Sequence, residues 1–146
     1  MSIIKSIKTN HFDLKEKRNW EKTYWFFDIH GTILKSNYSY GNTPKEFYPY
    51  AKETLQFLSK LSDIDMAIYT CSHPHEIQEY VNLFNENGIK FKFINENPEV
   101  ATQNNGYGCY DKKPYFNVLF EDKAGFDADT EWKEVLEFMK SKYEQI

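Results

Sequence analysis

The sequence predicts an α/β domain built as a three-layer sandwich, with helices on both faces of a mostly parallel central sheet. Short apolar runs recur along the chain, and amphipathic helical patterns alternate with them. These runs are apolar at successive positions, as is typical of strands that are buried on both faces. The chain has 146 residues, which is enough for one such domain and leaves little room for a second.

The N-terminal residues 1–22 are mixed and polar. We interpret them as an N-terminal arm or edge element, either a short strand with a linker or an ordered arm. The α/β domain then covers residues 23–146. Its first strand is predicted at residues 24–29, an aromatic and aliphatic run that stops at a Gly-Thr pair. Residues 35–45 contain Ser, Asn, Gly and Pro, which predicts a loop.

Two helices and two further strands are predicted next. Apolar residues at helical spacing indicate a helix over residues 50–61, and the apolar run 64–69 indicates the second strand. A second helix over residues 74–87 ends before Gly88, a common residue at helix C-termini. Residues 89–94 are predicted to form the third strand.

The C-terminal part contains a long loop, a short strand and a helix. Residues 95–111 are rich in Asn, Gly and Tyr, and a loop of this length in a small domain is often functional. Residues 118–120 form the core of the fourth predicted strand. The last helix is expected over residues 131–142, with Asp129 or Thr130 as its N-cap.

Charge and cysteine content limit the function classes and the expected compartment. The formal net charge of −4 provides no basic field, which argues against broad electrostatic binding to nucleic acid. The two cysteines, Cys71 and Cys109, are sparse enough to suit a reducing compartment. No apolar run has the length of a signal peptide core or of a transmembrane helix. We therefore expect a cytoplasmic protein.

Polar residues follow three of the predicted strands, where open parallel sheets bind their ligands. Asp28 ends the first strand, Thr70 ends the second, and Glu121 and Asp122 follow the fourth. Lys113 comes shortly before the fourth strand. Carboxylates provide the hard oxygen ligands of Mg²⁺, while an ammonium group and a hydroxyl orient phosphate oxygens. Together these groups suit phosphoryl transfer.

These residues occur in four motifs that resemble those of the haloacid dehalogenase-like hydrolase superfamily. Residues 28–32 read Asp-Ile-His-Gly-Thr, similar to the family's Asp-x-Asp-Gly-Thr after a strand, and residues 66–70 match its strand ending in Thr or Ser. The third motif is a lysine, matched by Lys113, with Lys112 as the adjacent alternative. The acidic pair that closes residues 118–122 matches the fourth motif. The resemblance covers residues 24–132 and implies a Rossmann-like core.

The resemblance implies a magnesium-dependent covalent mechanism. Asp28 would attack phosphorus and form an aspartyl-phosphate, which water then hydrolyses. The Mg²⁺ ligands would be the Asp28 carboxylate, the backbone carbonyl of His30 and Asp122, with Glu121 as a further ligand or water contact.

The same resemblance assigns the phosphate-binding residues. Thr70 would donate a hydrogen bond to the phosphoryl oxygens. Cys71 is a further candidate contact because it is the next residue in the sequence, and the resemblance itself does not assign it. Lys113 would pair with the nucleophile and with the transferring group.

His30 is the departure from the family pattern. Phosphatases of the family normally carry an acid two residues after the nucleophile, which protonates the leaving group and then activates water. Histidine exchanges protons near neutral pH, so it is also a candidate catalytic residue. Its ring is larger than a carboxylate, and a protonated ring would lie near a dication. Slower turnover, a changed pH profile and loss of phosphatase activity are all open outcomes.

The spacing of the motifs leaves no room for a large cap domain. An open, capless site suits a bulky substrate such as a nucleic-acid end or a phosphoprotein, or a small molecule enclosed by a partner chain. The leading expectation is a Mg²⁺-dependent phosphomonoester hydrolase acting on a nucleotide or a phosphorylated nucleic-acid end. The alternatives are a catalytically weak regulatory protein that binds phosphate and metal, and a purely structural domain.

Two further groups of residues have ordinary structural interpretations. His73 and His75 have no matching third metal ligand nearby, so we interpret them as residues of a solvated loop. Tyr107, Tyr110 and Tyr115 are expected to pack the long loop on the sheet, with stacking on a base as the less favoured alternative.

Overall fold

The computed structural model describes residues 2–35, 44–100 and 114–144. Four parallel strands form one sheet: β1 Thr23–Phe27, β2 Ile64–Ile68, β3 Phe93–Ile94 and β4 Val118–Phe120. The helices are α1 Ser2–Ile7, α2 Leu14–Arg18, α3 Ala51–Leu58, α4 Pro74–Glu86 and α5 Glu131–Tyr143. A π-helical turn, Lys8–Asp13, joins α1 to α2, and a 3₁₀ turn, Asp122–Ala124, follows β4.

The prediction of a parallel α/β fold is confirmed, since helices flank an all-parallel four-stranded sheet as in a Rossmann-like three-layer sandwich. The strand order is β3-β2-β1-β4. The chain therefore proceeds from β1 to β3 on one side, and then places β4 on the other side of β1. Ligands of open parallel sheets bind at such a change of direction, outside the carboxyl ends of the strands.

Stacked aromatic rings form the centre of the core. Trp25 and Phe27 lie two residues apart in β1, so their side chains are on the same face of the sheet, and both are fully buried. The Phe27 ring stacks on Phe120 of β4 at 4.6 Å between centroids, and Phe120 stacks on Trp132 of α5 at 5.2 Å. Burial of each ring stabilises the fold by roughly 1.5–3 kcal/mol, so this stack also fixes β1, β4 and α5 relative to one another.

The N-terminal segment is helical, and the strand alternative for residues 1–22 is wrong. Ile3 and Ile7 lie four residues apart on one face of α1, a helical spacing, and both are buried in the main core. The α1 helix contacts α5 and β4. The segment is therefore part of the packed body of the domain.

The remaining elements match their predictions with shifted ends. The third strand is shorter than the expected 89–94, because β3 pairs only with β2 through Phe93 and Ile94 at the edge of the sheet. Helix α3 ends three residues earlier than expected at Leu58, and α5 extends one residue further to Tyr143. Gly88 after α4 has a φ of +72°, as expected of a glycine that ends a helix.

The described connections contain no inserted domain. In the described parts of the chain, α3 alone lies between β1 and β2, and α4 alone lies between β2 and β3. The described residues of the two predicted loops, 35–45 and 95–111, form no helix or regular strand. No described helix is both long and apolar enough to cross a lipid bilayer.

Candidate functional site: an acidic cluster at the carboxyl ends of β1 and β4

Three carboxylates meet where β1 and β4 end. Asp28, Glu121 and Asp122 each offer one oxygen, and these oxygens all lie within 4.8 Å of one another. The register of the sheet produces this meeting, because Phe27 pairs with Phe120 and the residues that follow leave the sheet side by side. The backbone N–H of Asp28 extends the pairing by donating to the carbonyl of Phe120 at 2.9 Å.

The turn after β1 lies directly against one of the acids. Gly31 has a φ of +80°, a left-handed conformation that favours glycine. A Cβ atom at this position would lie only 2.6 Å from Oδ2 of Asp122. Glycine is therefore required here both for the backbone conformation and for the space that the Asp122 carboxylate occupies.

Thr32 links the acids from within the same turn. Its buried hydroxyl donates to Oδ2 of Asp28 at 3.2 Å and accepts the backbone N–H of Asp122 at 3.0 Å. The Thr32 carbonyl in turn accepts the indole N–H of Trp132 at 2.7 Å. Helix α5 thus fixes the turn that holds Asp28 and Asp122 together.

The charges of the cluster act against one another. Burial, and then the charges of Glu121 and Asp122, raise the pKa of Asp28 to about 7, although the Thr32 hydrogen bond acts in the opposite direction. A cation among the three carboxylates would remove this repulsion. Oxygen ligands at this spacing, in a cradle that leaves no room for a Cβ at Gly31, fit a hard divalent ion such as Mg²⁺.

Thr70 lies at the same edge of the sheet, one strand away from Asp28. The N–H of Tyr69 donates to the Phe27 carbonyl at 2.8 Å, so Thr70 is the next residue beyond the β1–β2 pairing. Asn95 holds its backbone on both sides, accepting the Thr70 N–H at 2.7 Å and donating to the Thr70 carbonyl at 2.8 Å. The Thr70 hydroxyl shares a hydrogen bond with Ser72 at 2.8 Å.

The imidazole ring of His30 contacts helix α4. Its Nε2 atom shares a hydrogen bond with the hydroxyl of Tyr80, and the two rings meet edge to face at 5.3 Å. Burial lowers the pKa of His30, while the charge of Glu76 on α4 opposes that effect. The expected proton-transfer residue is therefore anchored to a helix through one of its two ring nitrogens.

The structure describes some of the other candidate residues and not others. Lys113 and its alternative Lys112 lie outside the described residues, as do Cys109, Tyr107 and Tyr110, and their roles stay predictions. Cys71 is an exposed free thiol next to Thr70.

Tyr115 and the two histidines after Thr70 lie outside the cluster. His73 and His75 are exposed with stacked rings, and neither belongs to a group of metal-ligand side chains in the part of the chain that the structure describes. Tyr115 precedes β4 and packs its ring against Tyr24.

Sequence reasoning did not assign roles to four residues that build the site. Thr32 carries a signal, since it belongs to the first motif. Trp132, Tyr80 and Asn95 carry none that we recognise: the first two have the spacing of core residues on their helices, and Asn95 lies in a segment predicted as a loop.

Comparison with known proteins supports the fold and goes no further. No protein-family model and no curated protein matches the chain. Among solved structures, a conserved protein from Bacteroides thetaiotaomicron is similar with a TM-score of 0.61 and 19% sequence identity, over 83% of this chain and 92% of that one. At this level of identity the likeness shows a shared α/β fold.

Proposed function

We propose that the protein is a Mg²⁺-dependent phosphomonoester hydrolase whose nucleophile is Asp28. The observation that carries this proposal is the meeting of Asp28, Glu121 and Asp122 at the change of strand direction, around a turn that requires Gly31. The resemblance of the four motifs to the haloacid dehalogenase-like hydrolases supports the same chemistry. The proposed substrate is a nucleotide or a phosphorylated nucleic-acid end, and the proposed compartment is the cytoplasm.

The residues of the cluster divide the proposed reaction among them. Asp28 forms the bond to phosphorus, and Thr32 orients its carboxylate. The cation site consists of Asp28, Asp122 and Glu121 with the carbonyl of His30, and a bound Mg²⁺ supplies positive charge for the phosphoryl oxygens. Thr70, with Cys71 beside it, and Lys113 complete the site by binding those oxygens.

Phosphate release from an activated aryl phosphate with Mg²⁺ tests the proposal. Asp28→Asn keeps the size of the side chain and removes the nucleophile, so we expect kcat to fall about a thousandfold or more. Asp129→Asn is the matched control, because Asp129 is an exposed acid of the loop that follows β4 and lies outside the cluster. Release that is no faster than in buffer from acid to alkaline pH, or equal loss in both variants, contradicts the proposal.

A second candidate function is a regulatory protein that binds phosphate and metal with little turnover. The contact between His30 and Tyr80 favours this candidate, because one ring nitrogen of the expected proton-transfer residue is already hydrogen-bonded to a tyrosine. It predicts binding of Mg²⁺ and phosphate by calorimetry without hydrolysis, and gain of hydrolysis in His30→Asp. A loss of existing activity in His30→Asp would instead identify His30 as a catalytic residue.

A further inference from the structure

The polar atoms of Thr70 are largely used within the protein. Asn95 accepts the backbone N–H of Thr70 at 2.7 Å and donates to its carbonyl at 2.8 Å. The Thr70 hydroxyl oxygen accepts the backbone N–H of Ser72 at 3.3 Å and shares a second hydrogen bond with the Ser72 hydroxyl at 2.8 Å. Because its N–H is already bonded, Thr70 has one other donor for a ligand, which is its hydroxyl.

The bond between the two hydroxyls decides whether Thr70 can use that donor. If Thr70 donates to Ser72, its proton is used inside the protein. If Ser72 donates to Thr70, both lone pairs of the Thr70 oxygen are occupied, one by the Ser72 N–H and one by the Ser72 O–H. The Thr70 proton then points away from Ser72. An anionic oxygen beside Thr70 selects this second orientation, because it accepts hydrogen bonds and donates none.

The fold fixes the backbone on both sides of this pair of hydroxyls. Thr70 is 9% exposed and follows β2, whereas Ser72 is half-buried between β2 and α4. The Glu76 side chain of α4 accepts the N–H of His73, the residue after Ser72, at 3.0 Å. The end of a strand and the start of a helix therefore set the distance between the two hydroxyls.

We propose that Ser72 is a positioning residue for phosphate binding, whose hydroxyl and N–H both donate to Thr70 and turn the Thr70 proton toward a phosphoryl oxygen. The inference rests on the proposed function, in which Thr70 binds those oxygens, and it adds a residue to that site. Donation from Ser72 also polarises the Thr70 hydroxyl, which strengthens its hydrogen bond to an anion. Thr70 keeps no free lone pair on its hydroxyl for a ligand that donates, such as an amine.

Phosphate binding and turnover in Ser72→Ala test this role. The variant removes the hydroxyl and keeps the backbone N–H. With the full chain and Mg²⁺, we expect the dissociation constant of inorganic phosphate and KM for an aryl phosphate to rise roughly three- to tenfold, with kcat changed less than about twofold. Ser72→Thr keeps a hydroxyl and should restore both values. Ser62→Ala is the matched control, since the exposed Ser62 precedes β2 at the opposite end of that strand.

A double-mutant cycle with Thr70→Val distinguishes positioning from direct contact. Valine has nearly the shape of threonine without the hydroxyl, so phosphate should bind more weakly, and Ser72→Ala should weaken binding no further in that background. An equal loss from Ser72→Ala in both backgrounds means that Ser72 contacts phosphate itself, and overturns the positioning role. If Thr70→Val does not fold, Thr70→Ala replaces it in the same cycle.

The behaviour of the unchanged protein separates this inference from the proposed function. If that protein hydrolyses the aryl phosphate, and Ser72→Ala matches it in KM and in phosphate affinity, the inference is overturned and the proposed function stands. If the unchanged protein with Mg²⁺ neither binds inorganic phosphate nor hydrolyses the aryl phosphate, the proposed function is overturned, and the inference with it.

Discussion

At the scale of single residues, Gly31 shows how closely the acidic cluster depends on one turn. The position combines a φ of +80° with an approach of 2.6 Å between a hypothetical Cβ and Oδ2 of Asp122. Gly88 shares the left-handed conformation at +72° but has open space around it. A substitution at Gly88 therefore measures backbone strain alone, whereas one at Gly31 adds crowding of the Asp122 carboxylate.

We expect Gly31→Ala to reduce Mg²⁺ affinity at least tenfold and to lower phosphate release in parallel, because the new methyl group displaces the Asp122 carboxylate. Gly88→Ala should lower the free energy of unfolding by about 1 kcal/mol through strain alone and leave Mg²⁺ affinity unchanged. Calorimetric titration with Mg²⁺ and urea unfolding provide the two measurements. Equal Mg²⁺ affinities in the two variants would show that Asp122 does not hold the cation.

The sequence predicts some residues of the site better than others for a physical reason. Asp28, Glu121 and Asp122 are predictable because each directly follows an apolar run, and parallel strands bring their carboxyl ends to one edge. Tyr80 is not, because a tyrosine at core spacing on α4 acquires a polar role only through the helix it occupies and the turn it faces. A contact between two elements that are distant in sequence leaves no recognisable residue pattern in either of them.

At the scale of elements, a buried polar network joins the N-terminal helices to the rest of the domain. His11, in the π-helical turn, is fully buried; its Nδ1 pairs with Thr23 of β1 and its Nε2 with the Tyr143 hydroxyl of α5, both at 2.6 Å. The Tyr143 hydroxyl donates to Asp63 at 2.6 Å, and Lys15 of α2 forms an ion pair with the same carboxylate. The partners of His11 lie 12 and 132 positions away along the chain, so local sequence cannot predict this turn.

Asp63 gives this network a pH dependence. Burial pushes the pKa of Asp63 upward, but hydrogen bonds from His11, Lys15 and Tyr143 outweigh burial and hold it well below its usual range. Because the pKa is lower in the folded than in the unfolded state, the stabilisation is complete at neutral pH and is lost as the pH falls below about 4.

We expect Asp63→Asn to lower the free energy of unfolding at neutral pH by about 1–3 kcal/mol, and to make stability less dependent on pH in the acid range than in the unchanged protein. Asp13→Asn, at an exposed acid of the π-helical turn, is the control and should follow the unchanged protein. Urea unfolding at a series of pH values is the measurement. If the free energy of unfolding falls with decreasing pH in the same way in the protein and in Asp63→Asn, the network is not the cause of that fall.

At the scale of the whole molecule, alternation of apolar runs and amphipathic helices was sufficient to predict the α/β class. Consecutive strands of such sheets usually lie side by side, which explains why β1, β2 and β3 follow one another across the sheet. The position of β4 on the far side of β1 depends on a long connection whose path the sequence pattern does not define. At residues 1–22 the polar composition concealed a helix with one apolar face, which replaces the strand alternative for this segment.

This correction leads to a prediction about the integrity of the domain. Ile7 is fully buried in the main core, whereas Ile4 on the same helix is only partly buried against it. We expect Ile7→Ala to lower the free energy of unfolding by about 2–5 kcal/mol, and Ile4→Ala, the matched control, to lower it by clearly less.

Removal of residues 1–22 also deletes His11 and should abolish cooperative thermal unfolding, because α5 and β4 lose the helix packed on them. A truncated chain that unfolds cooperatively at the original temperature and still binds Mg²⁺ would show that the segment is an appended arm. The α/β core would then be stable without it, and the aromatic stack between β1, β4 and α5 would be sufficient to position the acidic cluster.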